Sequence, residues 1–286
     1  MTAAGLKRGD RVEHPKLGLG EVTGLEGDKA QIFFVDSGPR TILTSRFPLA
    51  PLVPRPSHWR LDGMDLAAAK PTSTYRSARD FVEAFVGQYP DGFNDGEFIK
   101  GERRYKADAH EAALDLLAED KLSELLDAGR YGDACLRARD TMKLVNVVDW
   151  RESQPLWSGV LDDPGCEEAF AKRLHALLYG QRSEQHRFEA FSALMEELSV
   201  PKWPICTFWR WIVFPRQEVF VKPESVKSAA DAWSYDVGYS PHPSWAGYRR
   251  IREFCQHVRE ELADLEPRDF IDVQTFMWLC TWYRNE

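Results

Sequence analysis

Four prolines, Pro48, Pro51, Pro54 and Pro56, fall within residues 47–56, and neither a helix nor a central strand runs through such a stretch. Each proline lacks a backbone donor and holds φ at roughly −65°, so the segment predicts an extended, stiff connection. The chain divides there, and its two sides differ in texture. Before it, short alternating runs at residues 10–14, 17–22, 29–35 and 40–43 are separated by turn residues, among them Glu26, Gly27, Asp28 and then Asp36, Ser37, Gly38, Pro39. About four or five strands in so short a span predict a small closed barrel, because a lone hairpin buries too little surface and closure removes exposed edges.

After the prolines, apolar residues recur at helical spacing. The pattern predicts helices over residues 77–86, 95–119, 121–128, 134–145, 167–178, 184–198, 225–233, 244–265 and 269–282. Residues 206–222 break it: Cys206, Thr207, Phe208, Trp209, Arg210, Trp211, Ile212 and Val213 are strand formers, a turn follows at 215–217, and Val219, Phe220 and Val221 resume. A period of two there puts Trp209 and Trp211 on one face. The expected architecture is α+β, with an all-β barrel over residues 1–47, a linker over 48–60, and a mainly helical domain over 61–286 that holds a short β-hairpin near 206–222.

Charge refines the division. Lys and Arg number 37 against 45 Asp and Glu, a net charge of −8, whereas the opening 47 residues carry seven basic and six acidic side chains. A wholly basic nucleic-acid coat is excluded, but one basic face is not. The five cysteines form no CxxC pair, so neither a zinc ribbon nor a disulfide framework is expected. Nothing at residues 1–6 reads as a signal peptide, and the apolar stretch 205–221 is too interrupted to span a bilayer. A reduced, cytoplasmic setting without membrane contact follows. Seven of the ten tryptophans lie after residue 200, where they predict either a core of large rings or an aromatic stacking platform.

The opening segment also carries a resemblance. Gly9, Asp10, Val12, His14, Gly18, Gly20 and Val22 fit the pattern G-D-x-V-x-H-x-x-x-G-x-G-x-V, and Ile32, Phe34, Asp36 and Gly38 follow as a strand and turn. This resembles the Tudor/SH3-like barrel at the C-terminus of UvrD/PcrA-type helicases and, more loosely, the RNA-polymerase-interaction domains of CarD-type proteins. Ile32 stands where that pattern has Val, and Arg40, preceded by Pro39, where it has Lys. The resemblance covers some forty residues and implies a module that docks on RNA polymerase or a DNA-processing complex, or that contacts duplex DNA. On this reading Gly18 and Gly20 permit a sharp path into the second strand, and His14 buttresses the turn at Pro15. The remainder is similar to bacterial proteins of unassigned function, in residues 89–93, 102–106, 220–223 and 269–276, which transfers no activity.

The expected function is therefore a non-enzymatic interaction protein of DNA metabolism, in repair, transcription or defence against foreign DNA, with no cofactor and no metal. Its candidate binding residues are Lys16, Arg40 and Arg46 on the barrel, Arg210, Trp211 and Lys222 on the hairpin, and Arg249 and Arg250 at a basic helix start. The alternative is an enzyme acting on nucleic acid or nucleotides. Glu102, Lys106 and His110 stand at successive i, i+4 positions, a carboxylate, an amine and an imidazole on one helix face suited to activating water or neutralising phosphate. Asp269 and Asp272 join that reading, although as the start of a helix they equally predict an N-cap. Asp95, Glu97 and Lys100 do not fit a (D/E)-x-K nuclease core, since on a strand Glu97 and Lys100 would face opposite ways.

Overall fold

The computed structural model describes residues 5–35, 37–62 and 77–283. Asp36, assigned above to a turn, lies outside them, as do parts of the spans given for the barrel and the helical domain. The α+β expectation holds. Strands β1 (Arg11–His14), β2 (Gly18–Glu26), β3 (Lys29–Phe34) and β4 (Gly38–Leu43) form an antiparallel sheet in sequence order. Val12 pairs with Gly20, Gly20 with Phe34, Val22 with Ile32, and Ala30 with Ile42, so these residues share a face. Gly20 must be glycine: a Cβ there would sit 2.7 Å from both Ile32 Cγ2 and Phe34 Cδ1. Gly18 supplies φ of +73° at the entry to β2. Between Val22 and Gly24 a bulge inserts Thr23, whose hydroxyl donates to Gln31 O at 3.1 Å.

The ladder is open among the described residues: β1 and β4 share no register. The outer edge of β1 meets the proline-rich stretch instead. Leu52 N donates to Arg11 O at 2.7 Å, and Leu49 joins Leu6, Val12, Val22, Ala30, Ile32, Phe34 and Ile42 in one core. The opposite face buries Phe33 and Val35 against Leu61 of α1 (Trp59–Asp62), with Leu19 beside them. There Arg11 pairs with Glu21 across the ladder, and Arg55 and Asp62 complete the ion network. Residues 48–60, expected as a linker, therefore fold back on the sheet. The prolines exclude a regular element over 48–56 but leave Leu49 free to be buried and Leu52 N–H free to pair with β1, a fully enclosed leucine being worth about 1.5–3 kcal/mol.

Helices follow as α2 (Ala78–Gln88), α3 (Gly96–Phe98), a π-helical turn (Ile99–Arg103), α4 (Arg104–Leu116), α5 (Glu119–Asp127), α6 (Tyr131–Lys143), α7 (Trp150–Leu161), α8 (Pro164–Tyr179), α9 (Glu184–Glu197), α10 (Trp203–Val213), α11 (Pro223–Trp233), α12 (Trp245–Glu261) and α13 (Phe270–Tyr283). The chain groups into two compact units, one of Met1–Pro90, Glu224–Val237 and Met277–Glu286, the other of Asp91–Pro223 and Gly238–Phe276. In the first, a reciprocal capping box starts α2, Ser77 Oγ accepting from Asp80 N while Ser77 N donates to Asp80 Oδ2. In the second, α8 packs against α5, α6, α7 and α9, and α10 runs through the centre against α4, α6, α8 and α9.

The hairpin expected near 206–222 is absent: residues 203–213 are helix α10, and 219–222 pair with no strand. All eleven residues of α10 are buried, so no polar stripe marks its turns, and a run of aromatic and β-branched side chains imitates strand periodicity. Tertiary burial overrides that local preference. On the helix Trp209 and Trp211 point about 200° apart. Trp209 meets Trp157, Phe170 and Phe191 in edge contacts, whereas Trp211 lies against Phe220.

Candidate functional site

Two charge networks lie inside the second unit, and they hold most of the side chains with chemical potential. The first is built on the π-helical turn that leads into α4, a deformation that recurs at functional sites. Arg103 ends that turn and grips Asp269 with both terminal nitrogens, at 2.6 and 2.8 Å, while Nη1 also reaches Asp272 Oδ1 at 3.1 Å. Arg268 serves the other oxygen of Asp272 through its backbone N–H at 2.9 Å and Nη1 at 3.3 Å. Lys106 Nζ donates to Thr275 Oγ1 at 2.8 Å and Glu102 Oε2 at 3.4 Å. Asp269 Oδ1 accepts from Ile271 N at 2.8 Å, the N-cap that the sequence predicted.

Glu102, Lys106, Asp269 and Asp272 are thus brought together, as an active site would need. His110 leaves the group, with Nδ1 2.7 Å from Ile212 O. The four that remain are engaged by neighbours: Asp269 by Arg103, Asp272 by Arg103 and Arg268, and Lys106 by Thr275 and Glu102. Asp272 is 0% exposed and Lys106 3%. Burial pushes the Asp272 carboxyl above its ordinary range although Arg103 pulls the other way, and burial lowers the Lys106 amine against the attraction of Glu102. The arrangement clamps the first turn of α13 to α4, and both oxygens of Asp272 are spent on guanidiniums. Asp95 is likewise structural, since Oδ1 caps α3 by accepting from Glu97 N and Phe98 N.

The second network surrounds Arg210 on α10, which is 3% exposed. Its Nη2 donates to Glu218 Oε1, and Glu218 Oε2 accepts from Tyr248 Oη at 2.6 Å. Glu184, the first residue of α9, accepts from Arg252 Nη1 at 2.9 Å and lies 3.6 Å from Arg210 Nη2. The ring of Trp245 lies 6.0 Å from the Arg210 guanidinium and 5.5 Å from that of Arg252, and Phe188 stacks on Tyr248 at 4.9 Å. Trp211, expected as a stacking face, is fully enclosed and donates its indole N–H to Phe270 O at 3.4 Å. Lys222 is drawn to Val147 O at 3.1 Å. Arg249 and Arg250 stay exposed, the first 3.6 Å from Glu253 and the second donating to Gly238 O at 3.2 Å.

On the sheet, Lys16 and Arg46 are exposed, whereas Arg40 turns back on Pro39 O at 2.9 Å. His14 does buttress its turn, Nδ1 accepting from both Lys16 N and Leu17 N at 3.2 Å. Its ring carries Phe47, with centroids 5.4 Å apart, and Phe47 is 54% exposed. Sequence reasoning placed Phe47 at the very end of the barrel, beside the prolines, without singling it out, and it overlooked Glu184 and Arg187, which read as the polar face of an amphipathic helix. The only available signal at Glu184 was the capping serine before it.

Among the described residues, no group of three His, Cys, Asp or Glu side chains could hold a metal ion, and no helix is long and apolar enough to cross a membrane. Comparison of the chain with protein-family models, with curated proteins and with solved structures gives no match.

Proposed function

We propose that this is a non-enzymatic interaction protein of DNA metabolism whose N-terminal sheet docks on RNA polymerase or another DNA-bound partner in the cytoplasm. The observation that carries the reading is an exposed aromatic ring, Phe47, packed on the buried His14, with exposed Lys16 two residues from His14 and exposed Arg46 next to Phe47 in the chain. A large exposed ring on a buried base, with exposed cations close by in the chain, suits an acidic partner surface. The likeness of residues 9–22 to helicase-tail and polymerase-interaction barrels supports the same partner class. In this reading the segment around Leu52, bonded to the free edge of β1, takes the place of a closing strand in an SH3/Tudor-like barrel. The engagement of Asp269 and Asp272 by Arg103 and Arg268, and of Lys106 by Thr275 and Glu102, favours contact over catalysis.

Affinity purification of the full-length protein from nuclease-treated bacterial lysate tests the proposal. RNA polymerase subunits are expected with the wild type and not with Phe47→Ala combined with Arg46→Glu. Recovery that vanishes on nuclease treatment would place the contact on DNA. Absence of both polymerase and DNA overturns the reading.

A further inference from the structure

The charges at the start of α9 do not balance. Arg210 and Arg252 each approach both Glu184 and Glu218, and Arg187, whose Nη1 donates to Leu177 O and Leu178 O at 3.0 and 3.3 Å, adds its charge to the field on Glu184. Tyr248 adds no anion, since burial and then the Glu218 charge raise its hydroxyl well above the ordinary value. Among the described residues, three guanidiniums therefore act on two carboxylates. Two buried nitrogens of that set, Arg210 Nη1 and Arg187 Nε, find no acceptor among the described residues. Such unmatched donors are costly inside a protein unless an acceptor arrives.

Glu184 is the exchangeable member. Its side chain is 43% exposed against 6% for Glu218, and a single oxygen, Oε2, holds both Arg252 and Arg210. Burial pushes its carboxyl up, but Arg252, Arg210 and Arg187 together leave it below the ordinary range, so it is fully charged at neutral pH. It also sits at the first position of a 14-residue helix capped by Ser183, where the helix dipole adds positive field. A carboxylate on a flexible arm is here doing what an external anion would do.

We propose that Glu184 stands in for the phosphate group of a nucleotide or a nucleic-acid strand, which displaces it and binds Arg187, Arg210 and Arg252 at the N-terminus of α9. A phosphate brings more acceptor oxygens than the carboxylate it replaces, enough for the two unmatched N–H groups as well as the forks already in use. The half-buried Trp245 ring, 6.0 Å from the Arg210 guanidinium and 5.5 Å from that of Arg252, forms an apolar wall for the sugar or base. Arg249, exposed on the next turn of α12, supplies an outer cation. No covalent bond changes; one anion exchanges for another.

The test compares full-length wild type, Glu184→Ala and Glu184→Gln by thermal unfolding and tryptophan fluorescence, with inorganic phosphate, a mononucleotide and a short oligodeoxynucleotide as probes at matched ionic strength. Without phosphate, both variants melt below the wild type. At about ten times Kd, phosphate raises their midpoint by roughly 3–6 °C, several-fold more than in wild type. Adding Arg252→Ala removes the difference. Tighter binding of the mononucleotide than of phosphate identifies a free nucleotide as the source, and tighter binding of the oligonucleotide identifies a strand. Equal responses of wild type and both Glu184 variants to every probe overturn the proposal. It stands apart from the docking reading, because Phe47→Ala leaves these responses unchanged.

Discussion

Replacing Arg103 by Met tests whether the clamp at α13 is structural. The substitution keeps an unbranched apolar stem and deletes the three bonds to Asp269 and Asp272, at 2.6, 2.8 and 3.1 Å. Asp272 is then left fully enclosed with Arg268 as its remaining cation, and Asp269 keeps only its backbone cap. Removing one partner from a buried ion pair costs about 3–5 kcal/mol, because the other charge stays desolvated. For a unit of this size each kcal/mol moves the midpoint by about 2–4 °C, so Tm should fall by roughly 6–20 °C. Lys143→Met is the control, since its pair with Asp140 is exposed on both sides and is worth at most about 1 kcal/mol. Thermal unfolding followed by tryptophan fluorescence and by circular dichroism reads both variants. A fall below about 4 °C for Arg103→Met, comparable to the control, would refute the clamp and reopen Asp269 and Asp272 as groups held for chemistry.

Glycine substitutions should separate close approach from plain flexibility. Gly20→Ala forces a Cβ against Ile32 and Phe34 and should destabilise by about 1–3 kcal/mol, whereas Gly87→Ala, in α2 with open space around it, should stabilise by about 0.5–1 kcal/mol in denaturant titrations. Lys106 predicts a pH dependence. Its folded-state value is depressed by burial, so between that value and 10.5 the unfolded chain holds a proton the folded chain has released, and the Lys106 contribution to stability rises with pH there. The stability of wild type relative to Lys106→Met should grow on the alkaline side, and a difference that stays flat from neutral pH to the lysine range contradicts the burial argument.

The sheet was legible because its strands carry one buried face and one paired or solvated face, so Val12, Val22, Ile32 and Phe34 could be aligned from alternation alone. What escaped was how the sheet ends. Closure was inferred from strand count, yet Leu49 and Leu52 meet β1 from a segment whose prolines signalled separation. Amphipathic helices such as α8 and α9 announced themselves, whereas α10 did not, since a helix buried on every side has no polar face to count. Helix α7 was missed through Pro155, which sits inside it. Spacing found Glu102, on the π-helical turn, close to Lys106 of α4, but no local pattern foretold that Arg103 and Thr275 would take up Asp269, Asp272 and Lys106. Such pairing is set by contacts some 170 positions apart.

Titration of purified RNA polymerase with the full-length protein tests the docking account most directly, with a duplex oligonucleotide run in parallel. The wild type should bind one of the two, and Phe47→Ala should weaken that binding at least about tenfold, or roughly 1.4 kcal/mol, the mark of an anchoring ring. Equal affinity of wild type and Phe47→Ala, or no binding of either partner by the wild type, would contradict a contact made through the ring on His14.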